Sequence, residues 1–240
     1  PEGSEPELNP APSAAMAHGI WPCFAQPGSL PVDSVSWNDC QAWIRRLNRW
    51  LLGELGDSSP QLSLPSESCW EAACRAGAST PFHWGDTLDS SWANYDGSYV
   101  YGDGALGLFR QTPVAIGELG LVNPWGLAEM HGQLWEWCLD RWHPMPLGCP
   151  PDGRAWEDPD PNLQGNPKQD DRTARGGCWC SDPLQCRSAS RGGIAPIFRD
   201  SFVGFRVACL PAEWGSKPDA ASPAKPTKPP GGTRGRKKSG

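Results

Sequence analysis

The sequence predicts one compact α+β domain, rich in loops, with two early helices and short strands toward its C-terminal side. Three observations lead there. Trp37, Cys40, Trp43, Ile44 and Leu47 recur at helical spacing behind Ser36, a natural N-cap. The 28 Gly and 27 Pro among 240 residues favour turns over long regular elements. Fourteen Trp supply large anchors for a core of modest size.

The first helix is expected to run to about Leu52 on the strength of that apolar stripe. Ser66 caps a second, in which Trp70, Ala73 and Cys74 face inward and which Gly77 ends. From Phe82 onward turn residues dominate, and short strands are expected near 134–138, 173–175 and 204–209.

Residues 1–19 lack apolar periodicity and the charged-then-apolar layout of a signal peptide, so a disordered tail is expected there. Residues 214–240 are rich in Pro, Ala, Gly, Ser, Lys and Arg, and read as a disordered basic tail. Between them lies one domain, 20–213. The formal charge of −6 includes that tail, so the domain itself is more acidic still and unsuited to indiscriminate nucleic-acid binding. No apolar run approaches the ~20 residues of a membrane span. Cellular location is not legible, and neither is oligomeric state.

Ten cysteines invite a disulfide reading. Cys69 and Cys74, five apart on a helix, are awkwardly placed for a bridge, whereas Cys138 with Cys149, or Cys186 with Cys209, depend on the fold. Mostly free thiols are expected.

Between Arg175 and Arg206 two kinds of position alternate. Arg175-Gly176-Gly177, Trp179, Pro183, Cys186-Arg187-Ser188-Ala189, Arg191, Pro196, Arg199 and Gly204-Phe205-Arg206 look like a frame. The filling has no coherent chemistry: Cys178, Cys180, Ser181, Asp182, Leu184, Ser190, Gly192, Gly193, Ile194, Ala195, Ile197, Phe198, Asp200, Ser201, Phe202 and Val203, with Gln185 as a further candidate. A catalytic site concentrates special residues, while a display surface sets arbitrary ones in a regular frame. Exposed Leu184, Ile194, Ile197, Phe198, Phe202 and Val203 would form an apolar interaction patch. Trp179, Arg187, Arg191, Arg199 and Arg206 are expected to hold the loops by packing and by hydrogen bonds to backbone carbonyls.

The frame resembles the end of the formylglycine-generating-enzyme domain, the sulfatase-modifying-factor type of C-type lectin fold. Earlier segments carry the same resemblance: Ser36-Trp37 with Gln41-Ala42-Trp43; Leu64-Pro65-Ser66-Glu67 with Trp70-Glu71-Ala72-Ala73; Asn123-Pro124-Trp125-Gly126-Leu127; and Met130-His131-Gly132 with Trp135-Glu136-Trp137 and Asp140. Five motifs stand in family order across residues 31–210. The resemblance implies a C-type-lectin-like fold of the formylglycine-generating-enzyme type, with a small, twisted antiparallel sheet on its C-terminal side.

Catalytic members of the family use a redox pair of cysteines, in a "CH.SYC.RYR" segment after the Gly-Gly, with copper. The corresponding Cys180 and Cys186 are separated by five residues without the flanking His, Tyr and Arg, and Cys186 matches the "CRSA.R" scaffold of inactive members. The iron-dependent branch would need a histidine set, whereas His18, His83, His131 and His143 are widely separated in sequence. Family members also hold calcium through loop oxygens, which makes Asn94, with Asp96 or Asp103, a candidate ligand, although Gln133 replaces the family's Asn. No cofactor is required by this reading.

The frame with arbitrary filling resembles the variable proteins of diversity-generating retroelements, in which template adenines become any base and AAC codons become NNC. Such codons never specify Lys, Glu, Gln, Met or Trp, and every filling residue above except Gln185 is permitted. A non-catalytic ligand-binding protein is therefore expected, its partner an unknown protein or cell-surface ligand met by residues 178–203. A formylglycine-generating oxidase and an ordinary non-catalytic family member remain the alternatives.

Overall fold

A computed structural model describes residues 30–209. The expected tails, and the domain limits at 20 and 213, lie outside the described residues.

Helix α1, Trp37–Leu55, begins with a full capping box: Asp39 N–H donates to the Ser36 side chain and the Asp39 carboxylate accepts the Ser36 N–H at 2.9 Å. Strand β1, Leu62–Ser63, leads into α2, Glu67–Arg75, capped by Ser66. The helix closes on Ala76 in the left-handed region (φ 44°), one residue before the glycine expected to end it. A long stretch without strands follows.

The principal sheet has four strands in the order β4-β3-β2-β5: β2 Trp135–Arg141, β3 Arg172–Arg175, β4 Arg191–Ile194 and β5 Val203–Gly204. The first three are antiparallel, but β5 joins β2 in parallel, with Trp135 opposite Val203. This departs from the all-antiparallel expectation because the chain crosses over after β4 and enters the sheet on its far side. A separate antiparallel pair joins β1 to β6, Ala208–Cys209.

The main core lies between α1 and this sheet and contains Val35, Trp43, Ile44, Leu64, Trp137, Ala174 and Val203. Two indoles, Trp137 buried and Trp37 half-buried, also lock chain segments together: Trp137 Nε1 donates to the Val35 carbonyl and Trp37 Nε1 to the Cys138 carbonyl, both at 2.9 Å. A second cluster gathers Phe82, Leu88, Tyr95 and Cys186, and a third Trp70, Cys74, Met130 and Cys138. No described helix is long and apolar enough to cross a membrane.

Candidate ligand-binding surface

Carboxylates, more than the expected carbonyls, hold the arginines of the C-terminal frame. The Arg175 side chain is fully buried between Glu71 and Glu67 and also donates to the Ser190 carbonyl. Arg191 pairs with Glu67 and donates to the His143 carbonyl (2.8 Å). Arg206 pairs with Glu136 (2.6 Å), and Arg199 makes a two-pronged pair with Asp39 at 2.6 and 2.8 Å. Carbonyl contacts of the expected kind are also present: Arg187 donates to the Leu184 carbonyl, and Arg206 to the Ala128 carbonyl beside its ion pair. Such bidentate pairs fix both distance and orientation. They tie loops 176–206 to both helices and to β2.

Glycine completes the frame where backbones meet. A Cβ on Gly204 would sit 2.4 Å from the Val32 carbonyl oxygen, and one on Gly177 (φ 74°) 3.0 Å from the Gln185 carbonyl oxygen.

Seven of the candidate positions project outward: Cys180, Leu184, Gln185, Ala195, Ile197, Phe198 and Ser201. Among them Ile197 is 72% exposed, Leu184 53% and Phe198 36%. Phe198 lies against Phe202, ring centroids 5.8 Å apart. Trp179, half-buried, donates to the Ser201 carbonyl (3.1 Å) and stacks on Phe109 at 6.4 Å. Phe109 was invisible to sequence reasoning because nothing local to residues 97–112 signals a contact with residue 179. The partners Asp96 N–H and Ser181 carbonyl (3.0 Å), together with the Asp96–Phe109 bridge, bring that loop alongside.

Other candidates belong to the frame. Cys178, Ser181 and Val203 are 2%, 3% and 0% exposed, which corrects their assignment to an accessible face. Val203 fills the main core, and Ser181 Oγ accepts the Cys178 N–H at 3.0 Å. Gly193 is no arbitrary residue: a Cβ there would lie 2.5 Å from the Trp142 ring, and Gly192 lies against Trp135. Ile194 and Phe202 are half-buried against the main core. Asp182 accepts the Leu184 N–H at 2.7 Å and caps a short 3-10 turn, Pro183–Cys186, while Ser190 and Asp200 are half-buried.

Cys180 and Cys186, the pair weighed against the catalytic motif, lie in unlike environments, one exposed and one buried. Cys186 is fully buried, its thiol pushed well up by burial and next by the nearby Cys178. A two-thiolate copper site built from Cys180 and Cys186 does not fit that environment. The sulfur within reach of Cys180 is that of Cys178, at 3.3 Å. Cys40, Cys69, Cys74, Cys138 and Cys149 are also free thiols.

The histidines are partly brought together, against expectation. His83 and His131 stack with centroids 5.2 Å apart, and the His83 N–H donates to His131 Nε2 at 3.3 Å. Burial drives the His131 pKa down to about 4 and lowers that of His83. His143 is stacked on Trp156, and His18 is outside the described residues. Among the described residues, no group of three or more His, Cys, Asp or Glu is arranged to hold a metal.

Asn94 is buried, and its Nδ2 donates to Gln133 Oε1 (2.8 Å) and the Thr112 carbonyl (2.9 Å). Its Oδ1 is buried and has no hydrogen-bond partner. Gln133 Oε1 is occupied, accepting the Val114 N–H as well, while Asp96 accepts the Ser98 N–H and Asp103 is exposed. One neutral oxygen does not make the six to eight donors of a calcium shell, so this set does not fit the ion.

The arrangement is that of a C-type-lectin-like scaffold of the formylglycine-generating-enzyme type. The chain belongs to the family described as sulfatase-modifying factor enzyme 1-like domain, which matches residues 13–210. It is 29% identical over 187 residues to hercynine oxygenase of Mycolicibacterium smegmatis, covering 76% of this chain and 38% of that protein. It is 28% identical to the formylglycine-generating enzyme of Mycobacterium tuberculosis, covering 75% of this chain and 58% of that one. The inactive C-alpha-formylglycine-generating enzyme 2 of Mus musculus is also 28% identical, with 79% and 54% covered. The chain thus spans less than two thirds of the length of these relatives. Among solved structures, PvdO from Pseudomonas aeruginosa superposes with a TM-score of 0.61 at 26% identity, covering 81% of this chain and 74% of that one. Treponema denticola variable protein 1 superposes at 0.57 and 20% identity, covering 87% and 78%.

Proposed function

We propose that this chain is a non-catalytic binding protein whose recognition surface, of the kind that diversity-generating retroelements rewrite, is carried on residues 179–202. One observation carries the reading. Leu184, Ala195, Ile197, Phe198 and Ser201 point outward from backbone that ion pairs and glycine contacts hold in place. Side chains there can change without cost to the core, because exposed sites usually contribute within about ±0.5 kcal/mol. Treponema denticola variable protein 1, a variable protein by its name, supports the reading by analogy of scaffold.

The partner in this proposal is a protein or cell-surface ligand with apolar groups to match Leu184, Ile197, Phe198 and the Trp179–Phe109 edge. Large rigid side chains dominate such interfaces, and truncating Phe198 is expected to cost about 2 kcal/mol of binding. The test selects a partner from host-surface extracts and compares Phe198→Ala and Ile197→Ala with the parent for binding and thermal stability. Loss of binding in folded variants supports the proposal, and unaltered binding in both refutes it.

A second reading, an oxidase of the formylglycine-generating type, is favoured by the names of the curated relatives and by the exposed Cys180 sulfur. Aerobic turnover of a sulfatase-type cysteine peptide with copper would establish it. No turnover leaves the binding reading in place.

A further inference from the structure

Cys178 and Cys180 flank Trp179 and turn their sulfurs toward each other, Sγ to Sγ 3.3 Å. A disulfide needs about 2.05 Å, so closure asks for a movement of little more than an ångström. The two thiols are unequal: Cys178 is buried and Cys180 exposed. Ser181 braces the buried one twice, its Oγ accepting the Cys178 N–H at 3.0 Å and lying 3.2 Å from the Cys178 sulfur. Cys178 is inaccessible at the binding surface proposed above, and Cys180, though exposed within it, is not among the side chains that carry that proposal. Cys186, the third thiol of this stretch, is enclosed in a different cluster.

We infer that Cys178 and Cys180 form a thiol–disulfide exchange site for low-molecular-weight disulfides, with Cys180 as the entry sulfur and Cys178 as the resolving one. The Cys180 thiolate attacks one sulfur of the small disulfide; that S–S bond breaks, and the first thiolate leaves with its electron pair. Cys178 then gives its proton to water and attacks Cys180 Sγ, and the mixed disulfide breaks as the second small thiolate leaves. Two protein thiols are oxidised to one disulfide, and one small disulfide is reduced to two thiols. Burial pushes the Cys178 thiol up to about 12, which keeps it protonated at rest and leaves first attack to its exposed neighbour. Excess small thiol reverses the sequence.

The test uses the full chain, reduced and then exposed to oxidised glutathione, quenched by alkylation and digested with trypsin. Cleavage after Arg175 and Arg187 releases one peptide, 176–187, that contains Cys178, Cys180 and Cys186. The expected product has a Cys178–Cys180 disulfide within that peptide and an alkylated Cys186. In Cys178→Ser and Cys178→Ala, each checked for a cooperative melt, glutathione stays on Cys180. In Cys180→Ser, Cys178 stays reduced. Exposed Cys149 serves as an internal control that accepts glutathione. A parent protein that accumulates glutathione on Cys180 with Cys178 still reduced, that pairs Cys180 with Cys186, or that leaves Cys180 untouched while Cys149 reacts overturns the inference.

Discussion

Trp137 joins α1, β2 and the main core, and its truncation measures how much of the fold depends on that junction. The ring is fully buried, and its Nε1 donates to the Val35 carbonyl just ahead of the α1 cap. Trp137→Ala removes the packing of a large aromatic ring, about 3 to 5 kcal/mol, and leaves a buried carbonyl without its donor, about 1 kcal/mol more. For a domain of this size each kcal/mol moves the melting temperature by about 2 to 4 °C, so a drop on the order of 10 °C is expected. Thermal and urea unfolding followed by far-ultraviolet circular dichroism read both quantities. Trp135, the first residue of β2 with 9% exposure, should cost less when changed to Ala. A loss below about 1 kcal/mol at Trp137 would refute the account of this core.

Three further outcomes are expected. Joint replacement of Leu184, Ala195, Ile197, Phe198 and Ser201 by other NNC-encoded residues should leave the melting temperature nearly unchanged, whereas Val203→Asp, Gly193→Val or Gly204→Val should each unfold the protein or lower its melting point sharply, as thermal melts of the panel will show. Because burial holds the His131 pKa at about 4, the folded state binds fewer protons than the unfolded state from about pH 6.5 down to about 4; its contribution is full above that window and is lost as pH falls, on the order of 3 kcal/mol. Asp140, raised to about 6 mainly by burial, works in the opposite sense, contributing below about pH 4 and losing that contribution as pH rises through 6, so the difference between parent and His131→Asn in urea titrations across pH 4–7 isolates the histidine. Finally, Arg199→Met should loosen the tie between the 195–200 turn and Asp39, raising hydrogen exchange at Phe198 and Asp200 more than at Ala174.

Where local chemistry decides structure, the sequence could be read. Ser36 and Ser66 announced both helices, and the strands around Trp137 and Ala174 fell close to the short segments expected between turn residues. The parallel entry of β5 and strand β4 were not legible. Gly192 and Gly193 carry no strand propensity and are in β4 because the rings of Trp135 and Trp142 occupy the space a side chain would need. The same distant contacts limited the reading of the candidate surface. Segment 178–203 winds through turns without a fixed inside-outside period, so exposed Ile197 and buried Val203 look alike in sequence. The Cys178–Cys180 contact spans only two residues, yet it depends on how Ser181 and Trp179 set that turn.

The central claim is that a fixed frame carries replaceable residues, and the most direct measurement is of replacement itself. Sequencing the coding segment for residues 175–206 in many cells of the source population, with its flanking DNA, reads it. The account predicts substitutions concentrated at Leu184, Ala195, Ile197, Phe198 and Ser201, none at Arg175, Cys186, Gly193, Val203 or Gly204, and an adenine-rich near-copy of the segment beside a reverse transcriptase gene. A segment that is invariant, or that varies evenly across frame and filling with no such copy nearby, contradicts it.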